Sequence, residues 1–187
     1  LRIGGGDARG RRLKSGRKGI RPTTARVKSA LFSMLGPGGP AGRRVLDLFA
    51  GSGALGVEAL SRGAVRAEFV EADERRCQEI RGILAELGMA ERARVHCGDA
   101  TKVSRRLDGE FDIVFIDPPY EKDPFEEVLS ALNERGALAE DAVIFAEHSV
   151  RLVLPERLPG ARLERRRRYG DTAVSVYRRE QVASQGQ

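Results

Sequence analysis

From Arg43 to Glu147 the chain alternates short apolar runs with longer segments of helical periodicity, and this alternation constrains the fold more than any other feature. The runs near 44–49, 67–71, 93–97, 112–116 and 142–147 are rich in β-branched and aromatic residues, as buried strands are. Between them the pattern predicts helices near 53–62, 73–87, 101–107 and 124–135. Strands alternating with helices predict an α/β fold, a mostly parallel sheet with right-handed crossovers. The end differs: Arg162–Tyr169 and Thr172–Arg178 read as two strands joined by Gly170-Asp171, an antiparallel hairpin added to that sheet.

Ahead of the sheet lies a segment of different chemistry. Residues 1–28 hold ten Lys/Arg against the single acid Asp7, whereas the rest of the chain is mildly acidic. A basic arm on an acidic body suits neutralisation of nucleic-acid phosphates. Residues 1–22 are rich in Gly and Arg; Arg2-Ile3 and Arg11-Arg12-Leu13 read as a short hairpin, with much of the arm ordering on RNA. Pro22 and a following Thr then predict a helix over 24–36, whose buried stripe is Val27, Ala30, Leu31, Met34 and Leu35. Gly36-Pro37-Gly38-Gly39-Pro40 stops it. The expected organisation is thus a basic extension over 1–40, one domain over 41–180 and a frayed tail over 181–187. A second cluster, Arg162 with Arg165–Arg168, reads equally as solvated surface charge or as a further contact.

No run of about 18 apolar residues is present, so no membrane span is expected. Cys77 and Cys97 show neither metal-ligand spacing nor a disulfide framework and read as separate, reduced side chains. With no export signal, that points to the cytoplasm. His96 and His148 stand alone, so no metal is expected, and His148 reads as a surface or hydrogen-bonded residue rather than a catalyst.

The stretch from Val45 to Gly56 runs strand, glycine turn, helix. Gly51, Gly53 and Gly56 match G-x-G-x-x-G, and Glu71 stands 20 residues beyond Gly51, where an acid would bind a ribose hydroxyl. A nicotinamide or flavin protein is therefore one reading. Asp47, in the strand ahead of the loop, is unhelpful to a pyrophosphate but suits a ligand bearing an ammonium group. Asp99, after the third strand, can accept from an adenine amino group. Acids at successive strand ends favour cationic S-adenosylmethionine over an anionic dinucleotide.

Asp117-Pro118-Pro119-Tyr120 follows the fourth strand, on the edge of an open sheet where ligands bind. The two prolines remove N–H donors and leave carbonyls that only accept. Asp117 and the Pro118 carbonyl can each take one hydrogen of an exocyclic amine, drawing its lone pair out of conjugation, while Tyr120 stacks on the ring. Phe125 is a further candidate for base stacking.

These residues, in this order, resemble the class I S-adenosylmethionine-dependent amino-methyltransferases. More narrowly, Arg2-Ile3, Gly10-Arg11, Arg21-Pro22-Thr23-Thr24 with Arg26-Val27, Glu58–Arg62 and Tyr169-Gly170-Asp171-Thr172 resemble the bacterial 16S rRNA guanine-N2 methyltransferases. The resemblance implies a Rossmann-like sheet and methylation of one guanine in the small ribosomal subunit. It places Asp47, Phe49, Ala50, Gly51, Ser52 and Gly53 on the methionine part of the cofactor, Glu71 on its ribose, and Asp99 with Ala100 on its adenine. Asp117, Pro118, Pro119 and Tyr120 would form the catalytic clamp, and Arg9, Arg11, Arg12, Arg21, Thr23 and Arg26 would contact RNA. Two rivals remain: an adenine-N6 methyltransferase acting on DNA or RNA, and a ribosome-assembly module that binds RNA without catalysis. The oligomeric state is open, with a monomer as the working expectation.

Overall fold

A computed structural model describes residues 2–12, 24–119 and 123–180. After helix α1 (Ala25–Met34), five parallel strands follow: β1 (Arg44–Leu48), β2 (Arg66–Glu71), β3 (Ala93–Cys97), β4 (Phe111–Ile116) and β5 (Leu138–Ser149). Between them run α2 (Ala54–Ser61), α3 (Glu74–Glu86), α4 (Ala100–Ser104) and α5 (Phe125–Glu134). The chain ends with β6 (Arg157–Leu158), β7 (Ala161–Tyr169) and β8 (Thr172–Arg179), all antiparallel to their neighbours. One sheet results, in the order β3-β2-β1-β4-β5-β8-β7-β6. Strand order reverses between β1 and β4, which opens a crevice at their carboxyl ends.

The central strands are buried on both faces, which is why they read as apolar runs rather than as alternations. Val45, Phe69, Phe115, Phe145 and Val174 point to the side covered by Leu31, Leu55, Leu60 and Ile80 of α1, α2 and α3. Leu46, Leu48, Val114, Ile144 and Tyr177 point to the side covered by Val128, Leu129 and Leu132 of α5.

The extension shares the first of these cores through Ile3, Ala8, Val27, Leu31 and Phe32. Thr24 caps α1 by accepting from the Val27 N–H at 3.2 Å. Lys28 meets Glu58 at 2.7 Å and Arg62 lies over the Phe32 ring at 4.8 Å, so α1 runs alongside α2 in the same direction. The arm closes as the expected hairpin between Arg2 and Arg12, with Ile3 N–H donating to Arg11 at 3.1 Å. Leu13, also assigned to that hairpin, lies outside the described residues, as does the tail over 181–187. The Asp7 N–H then donates to the Ser61 carbonyl at 2.8 Å, and Gly6 lies so close that an added Cβ would stand 1.7 Å from that oxygen.

Glu58 is the centre of this attachment. One of its oxygens accepts from Lys28 at 2.7 Å and from the Gly4 N–H at 2.8 Å, the other from Arg62 at 2.8 Å. Burial pushes its carboxyl up, but Gly4, Lys28 and Arg62 together outweigh that and hold it below the ordinary glutamate range.

Three elements depart from expectation. β5 starts at Leu138 rather than near 142, because Leu138 pairs with Phe111 on the far side of an irregularity in the β4–β5 ladder. α4 ends at Ser104, with Arg105 as its C-cap, rather than near 107. The two-residue β6 exists only through its pairing with β7 and has no pattern of its own.

Candidate active site

The β1–α2 turn is built on backbone demands. Phe49 adopts φ 59°, a left-handed value that a side-chain-bearing residue holds only when its surroundings impose it. The Ala50 N–H donates to Val70 at 2.9 Å, and Gly51 and Gly53 follow at φ 55° and 73°. Gly56 allows α2 to lie on β2: a Cβ there would stand 2.3 Å from the Phe69 ring. The three glycines thus serve a turn and a close helix–strand approach, as the fingerprint requires.

Two acids brace this turn. Glu71 accepts from the Gly51 N–H at 2.8 Å through one oxygen and from the Asp73 N–H at 2.9 Å through the other. Asp47 lies beneath the loop, only 2% exposed, and accepts from the Gly56 N–H at 2.8 Å. Burial pushes the Asp47 carboxyl up to about 8; the Gly56 N–H opposes this, and the charges of Asp117 and Glu71 add to it. Asp47, Asp117 and Glu71 therefore share one electrostatic environment at the carboxyl ends of three strands.

Asp99 stands at the far side of Glu71, whose carbonyl accepts from the Gly98 N–H at 2.9 Å. It is exposed and caps α4 by accepting from the Lys102 N–H at 3.0 Å, ahead of a buried Ala100. Asp117 is half-buried directly after β4, with its N–H toward the Leu48 carbonyl at 3.5 Å; Pro118 is buried and Pro119 exposed. Ser52 is half-buried in the turn. Tyr120 lies outside the described residues, as do Arg21 and Thr23.

The sequence pattern missed two features of this rim. The β4–β5 register, extended by one residue, sets Glu147 beside Asp117, and Glu147 shares the face of Phe145; strict alternation along β5 would have revealed it. Arg166, Ser175 and His148 form a relay: Arg166 Nε donates to Ser175 Oγ at 3.0 Å, and the Ser175 hydroxyl donates to His148 Nε2 at 2.9 Å. His148 Nδ1–H completes it by donating to the Ser149 carbonyl at 2.9 Å. Burial, aided by nearby Arg166, holds the ring below the ordinary histidine range, so it stays neutral and serves as a buried brace.

Other expectations are corrected. Phe125 is fully buried, edge-on to His148 at 6.2 Å, and cannot stack on a base. Cys77 and Cys97 are joined as a disulfide, their Cα atoms 6.1 Å apart, because the first turns of α3 lie against the end of β3. The thiol argument for a cytoplasmic location therefore does not stand. Arg9, Arg11 and Arg12 are exposed, but they sit where α2 and α3 end, with Arg11 against Glu86 at 3.4 Å. That is the sheet edge opposite Asp117. Arg26 is exposed at the start of α1, toward the Asp117 edge.

A cleft of about 360 Å³ lined by Phe32, Gly36, Pro40 and Arg62 also lies at the opposite edge, away from all four acids. Among the described residues there is no group of His, Cys, Asp and Glu that could hold a metal ion, and no helix long and apolar enough to cross a membrane.

An open sheet whose switch-point crevice is rimmed by acids, with an Asp-Pro-Pro turn where the fourth strand ends, is the frame of the class I S-adenosylmethionine-dependent methyltransferases. The comparisons narrow this. Residues 1–178 match the family model described as "Conserved hypothetical protein 95". Ribosomal RNA small subunit methyltransferase D of Escherichia coli K12 is 40% identical over 181 residues, covering 96% of this chain and 90% of its own. YlbH of Bacillus subtilis is 37% identical over 183 residues, covering 96% and 99%. The solved structure of yhhF from Escherichia coli superposes with a TM-score of 0.87 at 38% identity, over 96% of this chain and 98% of that one. The chain belongs to this small-subunit ribosomal RNA methyltransferase family.

Proposed function

We propose that the chain transfers a methyl group from S-adenosylmethionine to the exocyclic N2 of a guanine in 16S rRNA of the small subunit. The observation that carries this reading is the junction of β1 and β4: Asp117 and the acceptor-only Pro118 carbonyl lie next to a buried acid, Asp47. Asp117 and Pro118 each hold one amino hydrogen of the target, which turns the nitrogen lone pair away from the ring. The amine is already a nucleophile, so no covalent enzyme intermediate is needed, and Tyr120 stacks on the base.

The chemistry of the pocket fits the cofactor. A carboxyl pushed up to about 8 by burial and by neighbouring acids is relieved by a cation, whereas a pyrophosphate would oppose its ionisation. Asp47 and the turn from Phe49 to Gly53 hold the methionine part, Glu71 the ribose, and Asp99 with Ala100 the adenine. When bound, S-adenosylmethionine supplies an electrophilic methyl on a sulfonium. The partner is the small subunit or its rRNA, and the site of action is the cytoplasm.

The Asp47 carboxyl makes binding depend on pH. In the empty protein it keeps its proton until about pH 8, and a cationic ligand favours the ionised form, so binding expels a proton. Affinity for S-adenosylmethionine climbs with pH below that value, by at most about tenfold per pH unit. Titration calorimetry at three pH values tests this, with the climb lost in Asp47→Asn. The same raised carboxyl costs the empty protein stability as pH rises from the ordinary aspartate range toward 8, so Asp47→Asn melts higher at pH 8. An affinity without pH dependence in the wild type contradicts this role for Asp47.

Arg26→Ala weakens RNA binding and lowers the slope of log K against log salt by about 0.7–0.9 per lost phosphate contact. Cofactor affinity is unchanged; a loss of cofactor binding with intact RNA binding contradicts its placement. The substrate class is tested by offering labelled S-adenosylmethionine with unmodified small subunits, free 16S rRNA or duplex DNA. Label enters the ribosomal RNA and not DNA; label in DNA alone overturns the substrate, and no label despite cofactor binding favours an assembly module.

A further inference from the structure

Strand β7 carries Arg162 and Arg165–Arg168 against one acid, Glu164, and the ladder sorts them by face. Arg165 and Arg167 lie opposite Val176 and Val174 of β8. Both valines pack in the core on the α1 side. Residues paired across an antiparallel ladder share a face, so Arg165 and Arg167 stand on the α1 side too. Arg162 lies opposite Arg178, which pairs with Val143 of the same core. Arg166 points the other way, committed to Ser175 and to the Leu154 carbonyl at 2.6 Å.

On the α1 side, Glu164 is shared by Arg165 and Arg178 at 2.6 Å each. Arg162 and Arg167 are exposed, and their guanidinium groups have no hydrogen-bond or carboxylate partner among the described residues. Charges on an edge strand deter pairing with other chains, but either sign or a mixture would do that. A ladder so unevenly charged, with Arg162, Arg165, Arg167 and Arg178 against Glu164 alone and Arg162 directly opposite Arg178, instead keeps an excess of positive charge that an anionic partner relieves.

The position of the ladder indicates which anion. β6 covers β7 only at Ala161 and Arg162, so the strand is open from Arg165 onward. Tyr169 pairs with Thr172, and Thr172 with Ser149 at the end of β5, so β7 rises to the edge that carries Asp117. Arg26 lies on this same side of the sheet, at the same edge. Three strand spacings separate β7 from β4. At ~4.8 Å each that is about 14 Å, the length of roughly four stacked nucleotides at ~3.4 Å.

We infer that the α1-side face of β7 is a phosphate-binding track, on which Arg162, Arg165 and Arg167 hold the backbone of the RNA strand that delivers the target base. The inference rests on the reading of the substrate as RNA. It gives that strand a second point of attachment on the opposite side of Asp117 from the cofactor turn.

The test is Arg162→Gln with Arg167→Gln in the full chain, compared with Arg94→Gln and Arg106→Gln, two exposed arginines placed elsewhere. Binding to unmodified small subunits and to a 16S rRNA fragment is measured across a range of salt. The β7 double variant binds more weakly, and its log–log salt slope falls by about 1.4, or ~0.7 for each of two single-strand phosphates. The control variant matches the wild type, and S-adenosylmethionine affinity is the same in all three. Wild-type slope and affinity in the β7 variant overturn the track, as does an equal loss in the control, which would mean only net charge matters. Self-association of the β7 variant with unchanged RNA binding assigns the arginines to edge protection and also overturns it. If the wild type itself fails to bind ribosomal RNA, the substrate reading fails first, and that is a separate result.

Discussion

Asp117→Ala lowers the rate of methyl transfer by about 10²–10⁴-fold, the span of a positioned acid–base group, while S-adenosylmethionine affinity changes little, moved only through the charge that Asp117 places near Asp47. The separation follows from position. Asp117 lies after β4, whereas the groups assigned to the cofactor lie on β1, β2 and the segment after β3. Asp117→Asn keeps one acceptor oxygen for the single amino hydrogen assigned to this position but loses the charge, so it recovers part of the rate. Single-turnover transfer separates this loss from slow product release. A matched loss of cofactor affinity would place Asp117 in the cofactor pocket and leave the base clamp without its acid.

Glu58→Ala lowers stability by about 3–5 kcal/mol, the range for breaking a buried ion pair from one side. Lys28 would keep a buried charge, and the Gly4 N–H and Arg62 would lose their acceptor together. Glu58→Gln keeps an acceptor and falls in between. The sign with pH is also set: the Glu58 carboxyl is held below its ordinary range, so its contribution is complete above that range and is lost as pH falls through the lowered value. Denaturant melts at pH 7 and at pH 4 read both effects. A loss under about 1 kcal/mol at pH 7 would mean that the extension is held by Ile3, Val27 and Leu31 and not by this cluster.

The parts of this site legible in the sequence are those that the backbone requires. Gly51, Gly53 and Gly56 are demanded by positive φ or by the approach of Phe69, so their spacing survives as a pattern. The strands were readable because both faces are buried. What escaped depends on partners distant in the chain. The start of β5 is masked by Glu140 and Asp141, which are exposed in the irregularity between the Leu138 and Val143 pairings to β4. The Cys77–Cys97 disulfide spans 20 residues and is set by how α3 lies against β3, which no spacing rule encodes. Depth was equally hidden: Asp47 and Asp99 are the same residue type on the same edge of the sheet, yet one is buried under a loop and the other is exposed as the cap of α4. Charge counting grouped Arg9, Arg11 and Arg12 with Arg26, and only the course of α1 places them at opposite edges of the sheet.

The central claim is that Asp117 and Pro118 present the N2 of a guanine. Its most direct test is to digest the RNA of unmodified small subunits after transfer from labelled S-adenosylmethionine and to identify the labelled nucleoside by mass spectrometry. The predicted product is N2-methylguanosine, formed about 10²–10⁴-fold more slowly when Asp117→Ala replaces the wild type. N6-methyladenosine in its place would keep the clamp and contradict the base.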